Sequence, residues 1–256
     1  KLASSAVGVL MLTSTIPAST VIASLTPNEE ILDVQTQKVD RQSEIKTLIT
    51  ATLGEKPREL TKDEEILLGN KLSEYYGFKV AAELEGKKLN RSYGYIGAEQ
   101  HLTRYPGDTM AGHLEPAVSR NRVIYSSGRA PGRGAWGYFA KSKTDFSQKD
   151  AEREKWYIAV QTFASVGFLE NVREHYNWYK FRKMLIINPK TGQAVVVDIA
   201  DAGPALWTGK HLGVSPEVMQ ELCLHKGSRK GGVLYFFIED PDDKIPLGPI
   251  KAWGQE

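Results

Sequence analysis

The feature that most constrains this chain lies at residues 183–219. Two apolar, β-branched runs, 181–187 and 194–199, are separated only by Asn188-Pro189-Lys190-Thr191-Gly192. Such runs favour pleated, half-buried backbone, and Asn, Pro and Gly are turn formers. The spacing predicts a hairpin. Its second strand empties into a polar corner, Asp201-Ala202-Gly203-Pro204. Ser215-Pro216-Glu217 then reads as a helix start, with Ser as cap, Pro in the first helical position and an acid in the first turn. That helix is expected to bury Val218, Met219, Leu222 and Cys223 and to end near Gly227.

Further β-branched or aromatic runs stand at 136–139, 156–163 and 233–238. Many short strands with few short helices predict a mainly β fold, a small closed barrel within residues 134–256. Upstream, residues 41–53 read as a helix ending at Gly54. Thr61 and Glu64 form a capping-box pattern before a second helix that stops at Gly77. A further short helix is expected over 80–89, giving a small helical N-terminal region at 41–92. Residues 93–133 are rich in Gly, Pro, Arg and Ser and read as a connecting segment with one strand at 122–125. The charged run 148–155 reads as a solvated helix or loop.

Residues 2–27 carry no charge, and 6–16 are apolar. That core falls short of the ~20 residues needed to span a bilayer. Val21-Ile22-Ala23 suits a signal peptidase, so 1–23 is expected to be a cleaved export signal. The alternatives are an uncleaved N-terminal anchor that attaches the protein to a membrane, or a buried helix. Residues 24–40 are polar and aperiodic, as in a linker. The protein is therefore expected to be secreted or to reside in the cell envelope, outside the cytoplasmic membrane. The 33 basic and 31 acidic residues leave a net charge of +2, which gives no electrostatic reason to expect a nucleic-acid partner. Cys223 is the sole cysteine, so no intramolecular disulfide forms.

The ordered set of Asn188 and Gly192, the strand 195–199, Asp201-Ala202-Gly203-Pro204, Gly209-Lys210 and the helix-opening Ser215 resembles the double-psi β-barrel domain of the rare lipoprotein A family, which is related to expansins and murein lytic transglycosylases. Gly134-Ala135-Trp136-Gly137 resembles the opening segment of that domain. The resemblance implies a six-stranded double-psi barrel acting on peptidoglycan or a related cell-wall polysaccharide. It places the acid/base of glycan cleavage on Asp201, and it implies no cofactor. A partly desolvated carboxyl can have its pKa raised for proton delivery. A lytic transglycosylase manages with one carboxyl, because the sugar's own hydroxyl attacks. A hydrolase needs two, roughly 5–9.5 Å apart. The chain departs from the family at Ala200 and Ala202, which replace Asn and the common Arg, and at Gly213, which replaces the second acid. Two other readings therefore stay open: a non-catalytic glycan-binding barrel module, and a structural envelope domain in which Asp201 serves only its turn.

Around Asp201 the candidate substrate-binding residues are Trp207, Lys210, His211, Tyr176 and Trp178. Trp207 offers a face for sugar stacking, or else a lid on the barrel. His211 is a donor beside Asp201, or simply exposed. Tyr176 and Trp178 line the groove, or belong to a segment packing its apolar face on the barrel. In a regular strand Asp198 points away from Asp201 and is solvated; a bulge at Ala200 would change this. The histidines show no zinc-binding spacing. The one combination offered is His101 and His113 with Asp108 or Glu115, and the sequence is read as having no metal centre.

Overall fold

The computed structural model describes residues 41–113 and 132–251. The expected export signal, the linker, the strand at 122–125 and Glu115 lie outside the described residues. The helices are α1 (Arg41–Thr52), α2 (Lys62–Tyr76), α3 (Gln148–Lys155), α4 (Val172–Tyr179) and α5 (Pro216–Glu221). The strands are β1 (Val80–Ala81), β2 (Glu83–Leu84), β3 (Lys87–Lys88), β4 (Tyr93–Ala98), β5 (Tyr157–Val160), β6 (Lys183–Ile187), β7 (Ala194–Ala202), β8 (Leu212–Val214), β9 (Lys230–Ile238) and β10 (Gly248–Ile250). Among the described residues no helix is long and apolar enough to cross a membrane.

Six strands close a mixed barrel in the order β4-β8-β5-β7-β6-β9, with β9 returning to β4. β4 with β8 and β5 with β7 are parallel, and the other ring neighbours are antiparallel. Moving every strand three places along the chain leaves this ring order unchanged and exchanges the two parallel pairs. β1 and β10 extend the sheet beside β9 and β7.

β6 explains why its sequence is apolar without alternation. Met184 and Ile186 enter the barrel interior with Val195, Val197, Ile199, Tyr235 and Phe237. Leu185 and Ile187 face outward and are covered, with Val196, Leu234 and Phe236, by Ile45, Ile49, Leu68 and Leu72 of α1 and α2. A strand buried on both faces needs a continuous apolar run. The helical N-terminal region is thus the outer layer of the same core.

The local signals act as read. Thr61 and Glu64 make a reciprocal capping box, and Gly77 ends α2 at φ 75°. Ser215 caps α5 through the Val218 N–H. The hairpin closes with Asn188 N–H on the Gln193 carbonyl at 2.9 Å and Gly192 at φ 77°.

Other stretches differ from expectation. Residues 80–89 form β1, β2 and β3 rather than a helix, because Val80 and Ala81 pair with Ile238 and Phe237. Glu85 and Gly86 then turn at φ 51° and 72°. β4 lies within the segment expected to connect the regions, and it supplies the first barrel strand. Residues 136–139 make a turn, with Gly137 N–H on the Gly134 carbonyl, instead of a strand. Cys223 falls beyond the end of α5 and is exposed rather than buried.

Candidate functional site

The corner begins with an irregularity. β5 pairs Ile158 with Ile199 but Ala159 with Asp201, so Ala200 is an extra residue in the ladder. Such a bulge bends a strand and re-aims its side chains. Beyond it the chain passes a cis Gly203–Pro204 bond and a short 3₁₀ turn, Leu206–Thr208. The side-chain amide of Gln161 holds this loop, donating to the carbonyls of Pro204 and Lys210 at 2.9 and 3.0 Å.

Asp201 Oδ1 accepts two backbone N–H groups, from Ala135 at 2.7 Å and Ala202 at 2.8 Å. Oδ2 makes no hydrogen bond to a described residue. Burial pushes the Asp201 carboxyl upward, the two backbone donors work against this, and the nearby Glu99 charge adds to the rise. Ala135 is held from both sides, since its carbonyl accepts the Tyr176 hydroxyl at 2.5 Å. The next residue, Trp136, lies against the Tyr176 ring at 5.0 Å and donates its indole N–H to the Tyr176 carbonyl. Asp201 and Tyr176 therefore clamp one loop.

A second carboxylate arrives from a place the sequence did not indicate. Glu99 follows β4, and its side chain lies over Gly213. A Cβ at 213 would stand 2.5 Å from Glu99 Oε1, so only glycine leaves room for it. Lys210 Nζ donates to Glu99 Oε1 at 3.1 Å. The Lys210 stem in turn lies across Gly97, where a Cβ would overlap it. Position 213 of β8 is thus covered by a carboxylate from the residue that follows its parallel neighbour, β4.

Comparison with family models, with curated proteins and with solved structures finds no match.

The remaining candidates divide. Trp207 is 89% exposed beside the exposed Leu206, so it is no lid on the barrel. His211 is placed with β4: its Nδ1 accepts the Tyr95 N–H at 3.0 Å and its ring stacks on Tyr95. Burial, with Arg91 and Lys230 nearby, pushes His211 down to about 4, so it is neutral near pH 7. It is not among the groups acting on Asp201. Trp178 faces elsewhere, donating to Glu85 at 2.8 Å and packing edge-on against Phe237. α4 packs through His175 and Tyr179, as an amphipathic segment does.

Asp198 is 1% exposed, not solvated. α3 lays Arg153 over it, with Nε 3.0 Å from Oδ2. Burial pushes Asp198 up to about 6. Its charged neighbours are Arg153, Lys183 and Asp243, whereas those of Asp201 include Glu99, so the two aspartates do not form a dyad.

Among groups able to hold a metal, His101 and His113 come together with Glu154 of α3, their ligand atoms all within 4.8 Å of one another. Glu154 escaped the sequence reading because it is 41 residues from His113 in a charged run and has no motif spacing to either histidine.

Proposed function

We propose that this chain is an exported cell-envelope protein carrying a double-psi barrel that cleaves peptidoglycan glycan in the manner of a lytic transglycosylase, with Asp201 as the single acid/base. The observation that carries the reading is the state of Asp201: one oxygen is fixed by two backbone donors, the other makes no hydrogen bond to a described residue, and burial favours its protonated form. A carboxyl whose protonated form is favoured by burial can deliver a proton to a leaving glycosidic oxygen. The exposed Trp207 supplies an aromatic face beyond the same corner, and aromatic faces suit sugar rings. The ring order that repeats after three strands supports a doubled topology.

A second reading is favoured by the same two bonds on Oδ1. They also describe an aspartate that fixes the 135 loop, leaving Trp207 and its neighbours to hold glycan strands without cutting them.

The test is incubation of the protein with purified peptidoglycan, with Asp201→Asn run in parallel. Anhydro-muropeptides from the wild type alone are expected. Ordinary reducing ends would replace this mechanism with hydrolysis and turn attention to Glu99. No products but retained glycan pull-down would favour the binding module; neither result would leave a structural domain.

A further inference from the structure

The segment that leaves β4 folds back over the start of β5 and buries a group of ionisable side chains. His101 Nδ1 lies 2.9 Å from Glu154 Oε1, and His113 Nδ1 lies 3.1 Å from Glu154 Oε2. The two imidazole centroids are 4.7 Å apart. The three side chains are between 0% and 5% exposed. Glu154 Oε1 also accepts the Leu102 N–H, which orients the carboxylate.

The outer ring nitrogens face carboxylates too. His113 Nε2 is 2.7 Å from Asp108 Oδ2, and His101 Nε2 is 3.6 Å from Glu217 Oε1 at the start of α5. A carboxylate accepts a proton from imidazole, so Asp108 suits an N–H on His113 Nε2, whereas Glu217 at 3.6 Å is an electrostatic neighbour of His101 beyond hydrogen-bond length. A neutral His113 then directs the lone pair of its Nδ1 inward. Glu154, when ionised, also offers only lone pairs. At His113, therefore, one ring nitrogen meets a carboxylate as acceptor to acceptor unless a second proton or a cation lies there, and His101 Nδ1 meets the same Glu154 carboxylate either as an N–H donor or as a further ligand of that cation.

The charges point to what it is. Among the described residues, Asp108 and Glu154 bring two negative charges, and Glu217, which burial pushes upward, brings a third where it ionises. Arg104, paired with Asp108 at 3.1 Å, brings one positive charge, and Lys155 acts on Glu217 more weakly. The balance can be met by protonating both histidines or by one divalent cation. Protonation sets two imidazolium rings beside each other inside the protein. A cation supplies the charge with no like-charge pair. An imidazole whose far nitrogen donates to a carboxylate, as that of His113 does to Asp108, is also the arrangement that orients a metal-bound histidine. Glu217 Oε2 completes the picture as a buried oxygen without a hydrogen-bond partner.

We propose that His101 Nδ1, His113 Nδ1 and Glu154 bind a divalent transition-metal ion of the zinc class, with Asp108 orienting the His113 imidazole and Glu217 adding negative charge beside His101. Two imidazoles and a carboxylate suit zinc. Tetrahedral bonds of 2.0–2.1 Å need ligand atoms roughly 3.3 Å apart; the ligand atoms here all lie within 4.8 Å of one another, so side-chain adjustment alone can gather them around an ion. The ion would staple the segment that carries Glu99 to the end of α3 and the start of α5. Tyr157, whose hydroxyl donates to the Gln100 carbonyl, lies between this cluster and Asp201 and feels the charges of both. The proposal departs from the expectation of no metal centre, and it does not depend on the glycan reading.

The test strips the full chain with a chelator and titrates it with Zn²⁺ by calorimetry and with Co²⁺ by absorption. One equivalent of each is expected, with the visible d–d bands of a four-coordinate site and a raised melting temperature. His113→Ala and Glu154→Gln should weaken binding by more than about 100-fold, and Asp108→Asn by about 10–100-fold, the range for an outer partner. No uptake by the wild type overturns the proposal, as does equal affinity in the ligand variants. Should a variant not fold, imidazole nitrogen spectra of the wild type decide: zinc must shift Nδ1 of both His101 and His113, and a shift of neither refutes the site.

Discussion

Replacing Asp198 by Asn should remove a pH dependence from the stability of the fold. In the folded protein the carboxyl is pushed from 3.8 up to about 6, first by burial. Arg153 of α3 and Lys183 of β6 oppose this, and Asp243 reinforces it. Oδ1 is buried with no hydrogen-bond partner. The folded state therefore holds the proton more tightly than the unfolded chain does. The resulting stabilisation is fully present below the unfolded value and lost as pH rises through the folded one. Its size is about 3 kcal/mol, because each pH unit separating the folded from the unfolded value is worth roughly 1.4 kcal/mol. Urea unfolding of wild type and Asp198→Asn from about pH 4 to pH 7 isolates it, since the other carboxyls titrate in both proteins. Because pH 4 already lies just above the unfolded value, the wild type should lose about 2.4 kcal/mol of that relative to the variant across this range. A flat difference would refute the reasoning. A difference of opposite slope would mean that the Arg153 pair outweighs burial.

Gly213→Ala drives a Cβ into Glu99, breaking the contact with Lys210, and should destabilise the fold by about 1–3 kcal/mol, as overpacking does; thermal unfolding reads this. With Glu99 displaced, Asp201 loses the charge that helps raise it, so its titration followed by carboxyl carbon NMR should move to lower pH. Trp207→Ala removes a side chain that packs on little, so stability should stay within about 0.5 kcal/mol. Retention on immobilised peptidoglycan should fall, and unchanged retention would remove Trp207 from the glycan reading.

What was legible in the sequence is what local chemistry decides. α2 announces itself through Thr61, Glu64 and Gly77, α5 through Ser215 and Pro216, and the β6–β7 hairpin through its turn. The strand character of β6 followed from a run that could only be buried. What was not legible depends on partners far along the chain. β4 contains Gly94 and Gly97, which read as loop, yet both pairing edges of the strand are filled and the glycines make room for His211 and Lys210. Asp198 looked solvated because nothing nearby hinted that α3 would cover it. Glu99 and Glu154 gained their neighbours through folding alone, without a motif to announce them.

The order of strands around the barrel also dictates when the barrel can exist. Of its neighbouring strand pairs, only β6 and β7 follow one another in the chain. β9 must bond both β4 and β6, joining Tyr93 to Leu234 and Ile187 to that same leucine. A ribosome-bound chain that has not yet emitted β9 holds a preformed hairpin but two unsatisfied β edges, at β4 and β6. Pairings so distant in sequence pay their loop-closure entropy before any reward, which slows folding. Exposed strand edges invite pairing between chains. The last barrel strand to be synthesised removes both hazards in one step, so a chain stopped before residue 230 should be a substrate for chaperones and proteases rather than a smaller version of the fold.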